Sequence, residues 1–160
     1  MKFLCDEMLG TLAKWLRILG YDTEYVKNME DEEIIEFARK ERRIIITRDK
    51  LLARRADVSL YIDEKELEEQ LRKVVTHFNL EIGGNVLSRC TVCNVPVVEI
   101  KKEEAKGNVP EYVWENSNVF WKCKKCGRIY WLGSHWQNME GMLKRLKENK
   151  DKKTKEYKIG

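Results

Sequence analysis

The chain has 160 residues, of which 42% are hydrophobic and 36% charged, and 31 basic side chains oppose 27 acidic ones for a formal net charge of +4. This length excludes two full-sized domains but leaves room for one ordinary domain and a small module. The hydrophobic fraction is too high for a disordered chain, and no apolar run reaches the roughly 18 residues that a membrane span requires. Because Asp6 and Glu7 interrupt the N-terminus before a signal sequence could form, we expect a soluble, cytoplasmic protein.

The first half of the chain alternates between strand-like and helix-like patterns. The expected strands span residues 2–5, 23–26, 44–47 and 58–62. Helices are expected between and after them, beginning near Leu9, Asp31, Lys50 and Leu67, with Asp31 as the N-cap of the second. Strands that alternate with helices in this way predict an α/β fold, with a doubly wound parallel sheet and right-handed crossovers.

The periodicity ends at Gly83-Gly84-Asn85, which is the predicted domain boundary. We therefore expect an α/β domain at residues 1–83, a small metal-stapled module at 84–143 with strands near 95–100 and 128–132, and a basic tail at 144–160. Residues 144–158 contain seven lysines and one arginine against three acids, a net charge of +5. Such a tail attracts a phosphate backbone, although a solvated chain terminus is an equally good interpretation.

Four of the five cysteines form two Cys-x-x-Cys pairs, Cys90 with Cys93 and Cys123 with Cys126, and 29 residues separate the pairs. Four thiolates satisfy the tetrahedral coordination of zinc and leave no position open for water. We therefore expect one structural zinc ion per chain, in a zinc ribbon that buries too little apolar surface to fold without it. Cysteines paired by chance and a redox dithiol are the alternatives.

Two aspartates directly follow predicted buried strands, Asp6 after the first and Asp49 after the third. Ligand sites of open parallel sheets lie outside the carboxyl ends of the strands, so both side chains should face one crevice. Asp31, which opens a helix at the same edge, completes a set of three candidate catalytic acids, and Glu7 and Asp63 are additional candidates. Asp31 could instead serve only as a helix cap, and Glu7 and Asp63 could be ordinary surface acids.

Converging carboxylates repel one another unless divalent cations neutralise them, and their oxygen atoms suit magnesium or manganese. A site of this kind can hydrolyse a phosphodiester, since one ion activates water and the ions together stabilise charge on the phosphate. No side-chain nucleophile is required.

Basic and aromatic side chains supply candidate contacts to a nucleic acid. Those near the acids that could orient a phosphate backbone are Lys14, Arg17, Arg48 and Lys50. Those that follow the second cysteine pair are His135 and Trp136. The module also interleaves aromatic with basic residues, namely Trp114, Trp121, Tyr130 and Trp131 with Lys122, Lys124, Lys125 and Arg128. Such a mixture could stack on bases, but aromatic residues of a small metal module more often form its core.

Several stretches of the chain resemble a known family. They are FLCDEMLGTLAKWLRILG at residues 3–20, ITRD at 46–49, both cysteine pairs, and GSHW at 133–136. Together they are similar to the PIN-like RNase domain with a zinc ribbon, the family of the C-terminal RNase domain of the Mut-seven exonuclease, up to about Leu143. The resemblance implies a ribonuclease that cleaves single-stranded RNA with magnesium or manganese held by Asp6, Asp31 and Asp49. Asp63 matches the fourth acid of such domains only loosely.

The main alternative function is a non-catalytic RNA-binding or ribosome-associated module, in which the acids only cap helices or bind a structural metal. A phosphoacceptor domain of the receiver type would need a fifth strand where the zinc ribbon begins. A two-aspartate phosphatase would need an acid at the position of Met8. The RNA target, the choice between endonuclease and exonuclease action, and the formation of a homo-oligomer are left open.

Overall fold

The computed structural model describes the backbone of residues 1–159 and the side chains of residues 1–133 and 137–150. The strands of the first half are β1 (Lys2–Cys5), β2 (Asp22–Tyr25), β3 (Ile44–Thr47) and β4 (Ser59–Tyr61). The helices are α1 (Gly10–Ile18), α2 (Asp31–Glu41), α3 (Lys50–Arg55) and α4 (Leu67–Phe78), and a 3-10 turn at Glu7–Leu9 precedes α1. The strands pair in parallel in the order β2-β1-β3-β4, so the sheet changes its direction of growth between β1 and β3.

Successive side chains of β1 enter two different cores, because side chains alternate between the faces of a strand. Phe3 packs in the core that α1 and α4 cover, whereas Leu4 packs in the core that α2 and α3 cover. Both side chains are fully buried, and burial of a large apolar side chain contributes roughly 1.5–3 kcal/mol. Helices on both faces make the sheet doubly wound, and the predicted fold class is confirmed.

Two predicted boundaries differ from the structure. β4 is two residues shorter than the predicted 58–62, because only Ser59–Tyr61 have register partners in β3, although Val58 and Ile62 each form one backbone hydrogen bond to that strand. The prediction that Asp31 is the N-cap of α2 was wrong by one residue: Glu30 is the extended N-cap residue and Asp31 is the first helical residue. The Asp31 carboxylate lies 3.7 Å from the Arg55 guanidinium instead of capping the helix.

The cysteine module, residues 85–133, contains three short strands, β5 (Val98–Ile100), β6 (Phe120–Lys122) and β7 (Ile129–Tyr130), which pair antiparallel with β6 in the centre. Two helices, α5 (Lys102–Ala105) and α6 (Glu111–Asn116), lie between β5 and β6. The sequence pattern predicted the regions of β5 and β7 but neither β6 nor the two helices. Trp114 and Trp131 pack against the buried cluster of Ala105, Val113 and Phe120, which supports the core interpretation for these two aromatic residues.

A buried arginine and a buried asparagine join the module to the α/β domain. Arg17 of α1 donates from Nε to the carbonyl oxygen of Thr23 (2.8 Å), and from Nη1 to those of Thr91 (2.9 Å) and Val92 (3.2 Å). Asn94 accepts a bond from the Thr23 backbone N–H at 2.9 Å. The carbonyl oxygens of Thr91 and Val92 lie between the first two cysteines, so the two parts are linked at the metal-binding loop itself.

The last helix, α7 (Ser134–Ile159), crosses the predicted boundary at residues 143/144 without a break. Leu143 and Leu146 enter the same core as α1 and α4, and Lys150 Nζ donates to the Leu80 carbonyl oxygen at 2.7 Å. The chain therefore returns to the α/β domain after the cysteine module. Among the helices that the structure describes, none has the length and apolar character needed to cross a membrane.

Candidate functional site

The four paired cysteines form one cluster. Their Sγ atoms all lie within 4.8 Å of one another, and the Sγ atoms of Cys90 and Cys126 are 3.8 Å apart. A tetrahedron with metal–sulfur bonds of about 2.3 Å has edges of about 3.8 Å, so the spacing fits a zinc ion. Cys90 and Cys123 are fully buried and Cys126 is exposed, which places the cluster at the surface end of the module.

Two loops with the same hydrogen-bond pattern build this cluster. In the first, Asn94 N–H donates to the Cys90 carbonyl oxygen at 2.9 Å; in the second, Gly127 N–H donates to that of Cys123 at 2.7 Å. Asn94 and Gly127 each follow the second cysteine of a pair and have positive φ, 64° and 82°. Such tight turns favour Gly and Asn, and they bring both sulfur atoms of a pair to one side of the loop.

The predicted catalytic acids are less closely grouped than the cysteines. In the part of the chain with described side chains, the cysteine cluster is the only set of three or more Cys, His, Asp or Glu ligand atoms within 4.8 Å of one another. Asp6 and Asp49 nevertheless follow β1 and β3, the two adjacent strands between which the sheet changes direction, and ligand crevices of doubly wound sheets form at that position.

Thr47 connects these two aspartates. Its side chain is fully buried at the end of β3, and its hydroxyl donates a hydrogen bond to Asp6 Oδ2. The same Thr47 oxygen accepts a bond from the Asp49 backbone N–H at 2.9 Å. A single hydroxyl therefore fixes the position of Asp6 relative to the chain segment that carries Asp49.

Asp6 Oδ1 is buried and has no hydrogen-bond partner in the described structure. Burial raises the pKa of Asp6 above its usual value, and the negative charges of Asp49 and Asp31 add to this effect, while hydrogen bonds from the Thr47 hydroxyl and the Met8 backbone N–H to the carboxyl group oppose it. Buried polar atoms are nearly always paired, so an unpaired carboxylate oxygen among other acids needs an explanation. A divalent cation bound to that oxygen would supply both the missing partner and the missing positive charge.

Asp49 and Asp31 also take part in local structure. Asp49 is the N-cap of α3, where Oδ1 accepts bonds from Leu51 N–H (2.9 Å) and Leu52 N–H (3.2 Å). Arg55, further along α3, faces Asp31 and lies 2.8 Å from Glu32. Asp49 therefore stabilises the start of α3, and Asp31 pairs with Arg55 of the same helix, whether or not either acid binds a metal.

The additional acids and two of the candidate cations lie at the same edge of the sheet. Glu7 is exposed in the turn after Asp6, and its carbonyl oxygen accepts a bond from the Tyr25 hydroxyl at 2.6 Å. Arg48 Nη2 lies 3.5 Å from the carbonyl oxygen of the exposed Asp63. Lys50 Nζ lies 5.8 Å from the centre of the ring of Tyr61, which is two residues before Asp63.

The remaining candidates lie elsewhere. Arg17 is buried and bonded to three carbonyl oxygens, so its guanidinium is not presented to a phosphate. Lys14 is exposed on α1, on the side that faces the cysteine module. The side chains of His135 and Trp136 lie outside the described residues.

Three residues of the crevice were missed by sequence reasoning: Thr47, Arg55 and Tyr25. Thr47 had a signal, because it is a polar residue at the end of an otherwise apolar strand, two positions before a candidate acid. Arg55 and Tyr25 had none, since their contacts join residues that are far apart in the sequence.

Comparison with known proteins identifies relatives of this chain. A family model described as the Mut7-C RNAse domain matches residues 1–143. A relative from Homo sapiens, the exonuclease mut-7 homolog, is 37% identical over 101 residues, which cover 58% of this chain but only 12% of the human protein. No solved structure matches. Because the family match includes both the acid-bearing sheet and the four cysteines, the chain belongs to the Mut7-C RNAse domain family.

Proposed function

We propose that this protein is a divalent-metal-dependent ribonuclease that hydrolyses phosphodiester bonds of single-stranded RNA at the crevice between β1 and β3. The single observation that carries this proposal is the buried, unpartnered Oδ1 of Asp6 among acids that raise its pKa. A carboxylate in that position costs stability unless a cation binds it, and retention of such a cost is typical of a functional site.

The residues available to hold magnesium or manganese are Asp6 through Oδ1 and Asp49 through Oδ2, since the capping bonds of Asp49 both use Oδ1. Asp31, whose carboxylate lies 3.7 Å from the Arg55 guanidinium, would be the third acid available to hold the ion. A bound magnesium or manganese ion supplies the positive charge that activates water and stabilises the attacked phosphate. Thr47 holds Asp6 in place and so sets the geometry of the site before any cation binds.

Arg48 and Lys50 bracket Asp49 in the sequence and lie at the same sheet edge as the acids. They orient the sugar–phosphate backbone so that the scissile phosphate lies against the acids. The remaining acids of the crevice, Glu7 and Asp63, are exposed and can complete the coordination of a second ion or bind its waters.

Exposed apolar side chains beside the acids favour an unpaired substrate. Met8 follows the Asp6-Glu7 pair and is 73% exposed, and Leu51 follows Asp49 by two residues and is 58% exposed. Such side chains can pack on free base faces, which a double helix hides. The family description as an RNAse domain supports RNA as the substrate, and the name of the human relative supports a nuclease.

The cysteine cluster completes the proposal with one structural zinc ion per chain, held by Cys90, Cys93, Cys123 and Cys126. A closed set of four sulfur ligands leaves no position for water or substrate, so its role is to hold the module together.

The decisive test is cleavage of a labelled single-stranded RNA with manganese added. We expect Asp6→Asn and Asp49→Asn each to lower the rate at least about 100-fold, because loss of a cation ligand removes several kcal/mol of transition-state stabilisation. Asp57→Asn is the matched control, since Asp57 is an exposed aspartate that pairs with Arg39 away from the crevice, and it should cleave like wild type.

Equal cleavage by the wild type and by both crevice variants would mean a contaminating nuclease and would refute the proposal. RNA binding without any cleavage by the wild type would favour the non-catalytic RNA-binding module instead.

A further inference from the structure

A groove of about 760 Å³ lies between α1, the cysteine module and α7. Its size falls within the ~300–1,000 Å³ of pockets that bind small organic groups. The lining residues that matter here are Lys14, Trp15, Tyr112, Asn116, Trp131 and Asn138. None of the candidate catalytic acids or metal ligands lines it, so it is separate from the sites described above.

Four residues that line the groove are aromatic, and the hydroxyl of one of them, Tyr130, lies 3.0 Å from Cys90 Sγ. Trp15 belongs to α1, Tyr112 to α6, and Trp131 follows β7, so three different elements bring rings to one groove. Tyr112 is 70% exposed, which is a high fraction for a large aromatic side chain. Trp15 and Trp131 are partly buried, each with its body packed on a core. Tyr112 therefore offers a ring that the module's own core does not use, and Trp15 and Trp131 offer the parts of their rings that packing leaves exposed.

The polar side chains of the groove suit an anionic ligand with hydrogen-bonding edges. Lys14 supplies a positive charge, and Asn116 and Asn138 supply carboxamides that both donate and accept hydrogen bonds. Although the chain has 27 acidic residues, none of the described residues that line the groove is acidic. An acidic peptide would pair with the lysine but would not need the aromatic rings. An unpaired nucleotide can use the positive charge, the carboxamides and the ring faces.

We propose that this groove binds unpaired nucleotides of the substrate, with bases stacked on Tyr112 and its aromatic neighbours and a phosphate on Lys14. This inference rests on the proposed function, because the groove would give the RNA substrate of the nuclease crevice a second contact with the protein. The helix α1 connects the two, since it begins four residues after Asp6. Lys14 lies roughly 6 Å further along its axis, and Ile18, also in the groove, roughly 12 Å.

The wall of the groove is also tied to the cysteine cluster. Tyr130 lines the groove, and its hydroxyl lies 3.0 Å from Cys90 Sγ and accepts a bond from the Thr91 backbone N–H at 3.3 Å. Tests of the groove therefore require the full chain with its metal in place.

The test measures binding of a fluorescent single-stranded RNA of about 12 nucleotides, within the site sizes of single-strand-binding folds, by anisotropy at several salt concentrations. The parent protein is the zinc-loaded full chain carrying Asp6→Asn and Asp49→Asn, so that the RNA stays intact. We expect Tyr112→Ala to weaken binding at least about fivefold and Tyr112→Phe to retain it, because stacking requires the ring and not the hydroxyl.

Lys14→Ala should lower the slope of log affinity against log salt by about 0.7, the value for one phosphate contact to a single strand. Lys40→Ala, an exposed lysine of α2, is the matched control and should leave both affinity and slope unchanged. A duplex of the same sequence should bind more weakly than the single strand, because its base faces are covered.

Equal binding by the parent, Tyr112→Ala and Lys14→Ala proteins, each with normal zinc content and circular dichroism, would overturn this inference. Manganese-dependent cleavage by the wild type would in that case leave the proposed function standing. If the wild type bound RNA through the groove but never cleaved it, this inference would stand and the proposed function would be refuted.

Discussion

The cysteine cluster and the acid crevice are two candidate metal sites in one chain, and they differ in how complete the protein makes them. Backbone hydrogen bonds in two matching loops hold the four sulfur atoms within 4.8 Å of one another. The acids stand instead on separate strand and helix ends, and Asp6 keeps an oxygen atom without a partner. A site that only stabilises a fold can be closed, whereas a site that admits substrate has to stay open on one side.

Charge explains part of this difference. Zinc binds four cysteines as thiolates, so the charge of such a cluster is balanced when the module folds around its metal. Carboxylates of Asp6, Asp31 and Asp49 repel one another, and this repulsion contributes to the raised pKa of Asp6. On the proposal above, the crevice requires a cation for charge balance, and the cysteine module requires zinc for folding.

The largest effect is expected when the cysteine cluster loses its metal. Cys123→Ser should remove the bound zinc and unfold residues 85–133, because structural zinc contributes on the order of 10 kcal/mol or more to such modules. Metal analysis should find one zinc ion per wild-type chain and less in the variant, and thermal unfolding should show the loss of stability. Cys5→Ala is the control, since Cys5 is buried in the sheet core and its replacement should leave zinc content unchanged. A zinc-free chain that folds normally would contradict the assignment of the cysteine cluster as a structural zinc site.

A smaller effect should follow from cutting the link between the two regions. Arg17→Met removes a buried cation that binds three carbonyl oxygens, and each such charged bond contributes about 1.5–3 kcal/mol. We expect chemical denaturation to show a loss of about 3 kcal/mol or more while zinc content stays at one per chain.

The matched control is Arg54→Met, an exposed arginine at the end of α3, which should change stability by less than about 0.5 kcal/mol. Equal stability of the two variants would show that the two regions fold independently of Arg17.

The smallest of these effects concerns the crevice without its cation. Asp6→Asn should raise the melting temperature in metal-free buffer, because it removes a buried charge that lacks a partner. The corresponding gain in the free energy of unfolding is about 1–3 kcal/mol. Added manganese should then stabilise the wild type but not the variant. Asp63→Asn, at an exposed acid, should leave the metal-free melting temperature unchanged. A lower metal-free melting temperature for Asp6→Asn would mean that the carboxylate has a purely structural role.

The local signals of the sequence were sufficient for the doubly wound sheet and for the cysteine cluster. Buried strands such as Ile44–Thr47 are marked by apolar runs, and the paired cysteines carry their own spacing. The strand ends carrying Asp6 and Asp49 followed directly from that sheet, whereas their roles in catalysis stay a prediction.

Long-range contacts were beyond the sequence pattern. Arg17 has the spacing of an exposed helix residue, and only the fold reveals that carbonyl oxygens more than 70 positions away bury it. The short helices and β6 were missed although α3 and β4 are equally short, because the cysteine module lacks the strand–helix alternation that marked the elements of the first half.

The return of α7 to the α/β domain determines how the cysteine module is placed within the chain. Leu143 and Leu146 supply side chains to a core whose other members come from before the module, so the module is an insertion between two parts of one folding unit. Trimming the chain after α4 would therefore expose apolar surface of the α/β domain and would not leave its core intact. Evolution could enlarge, shrink or exchange the inserted segment as long as its two ends still met α4 and α7.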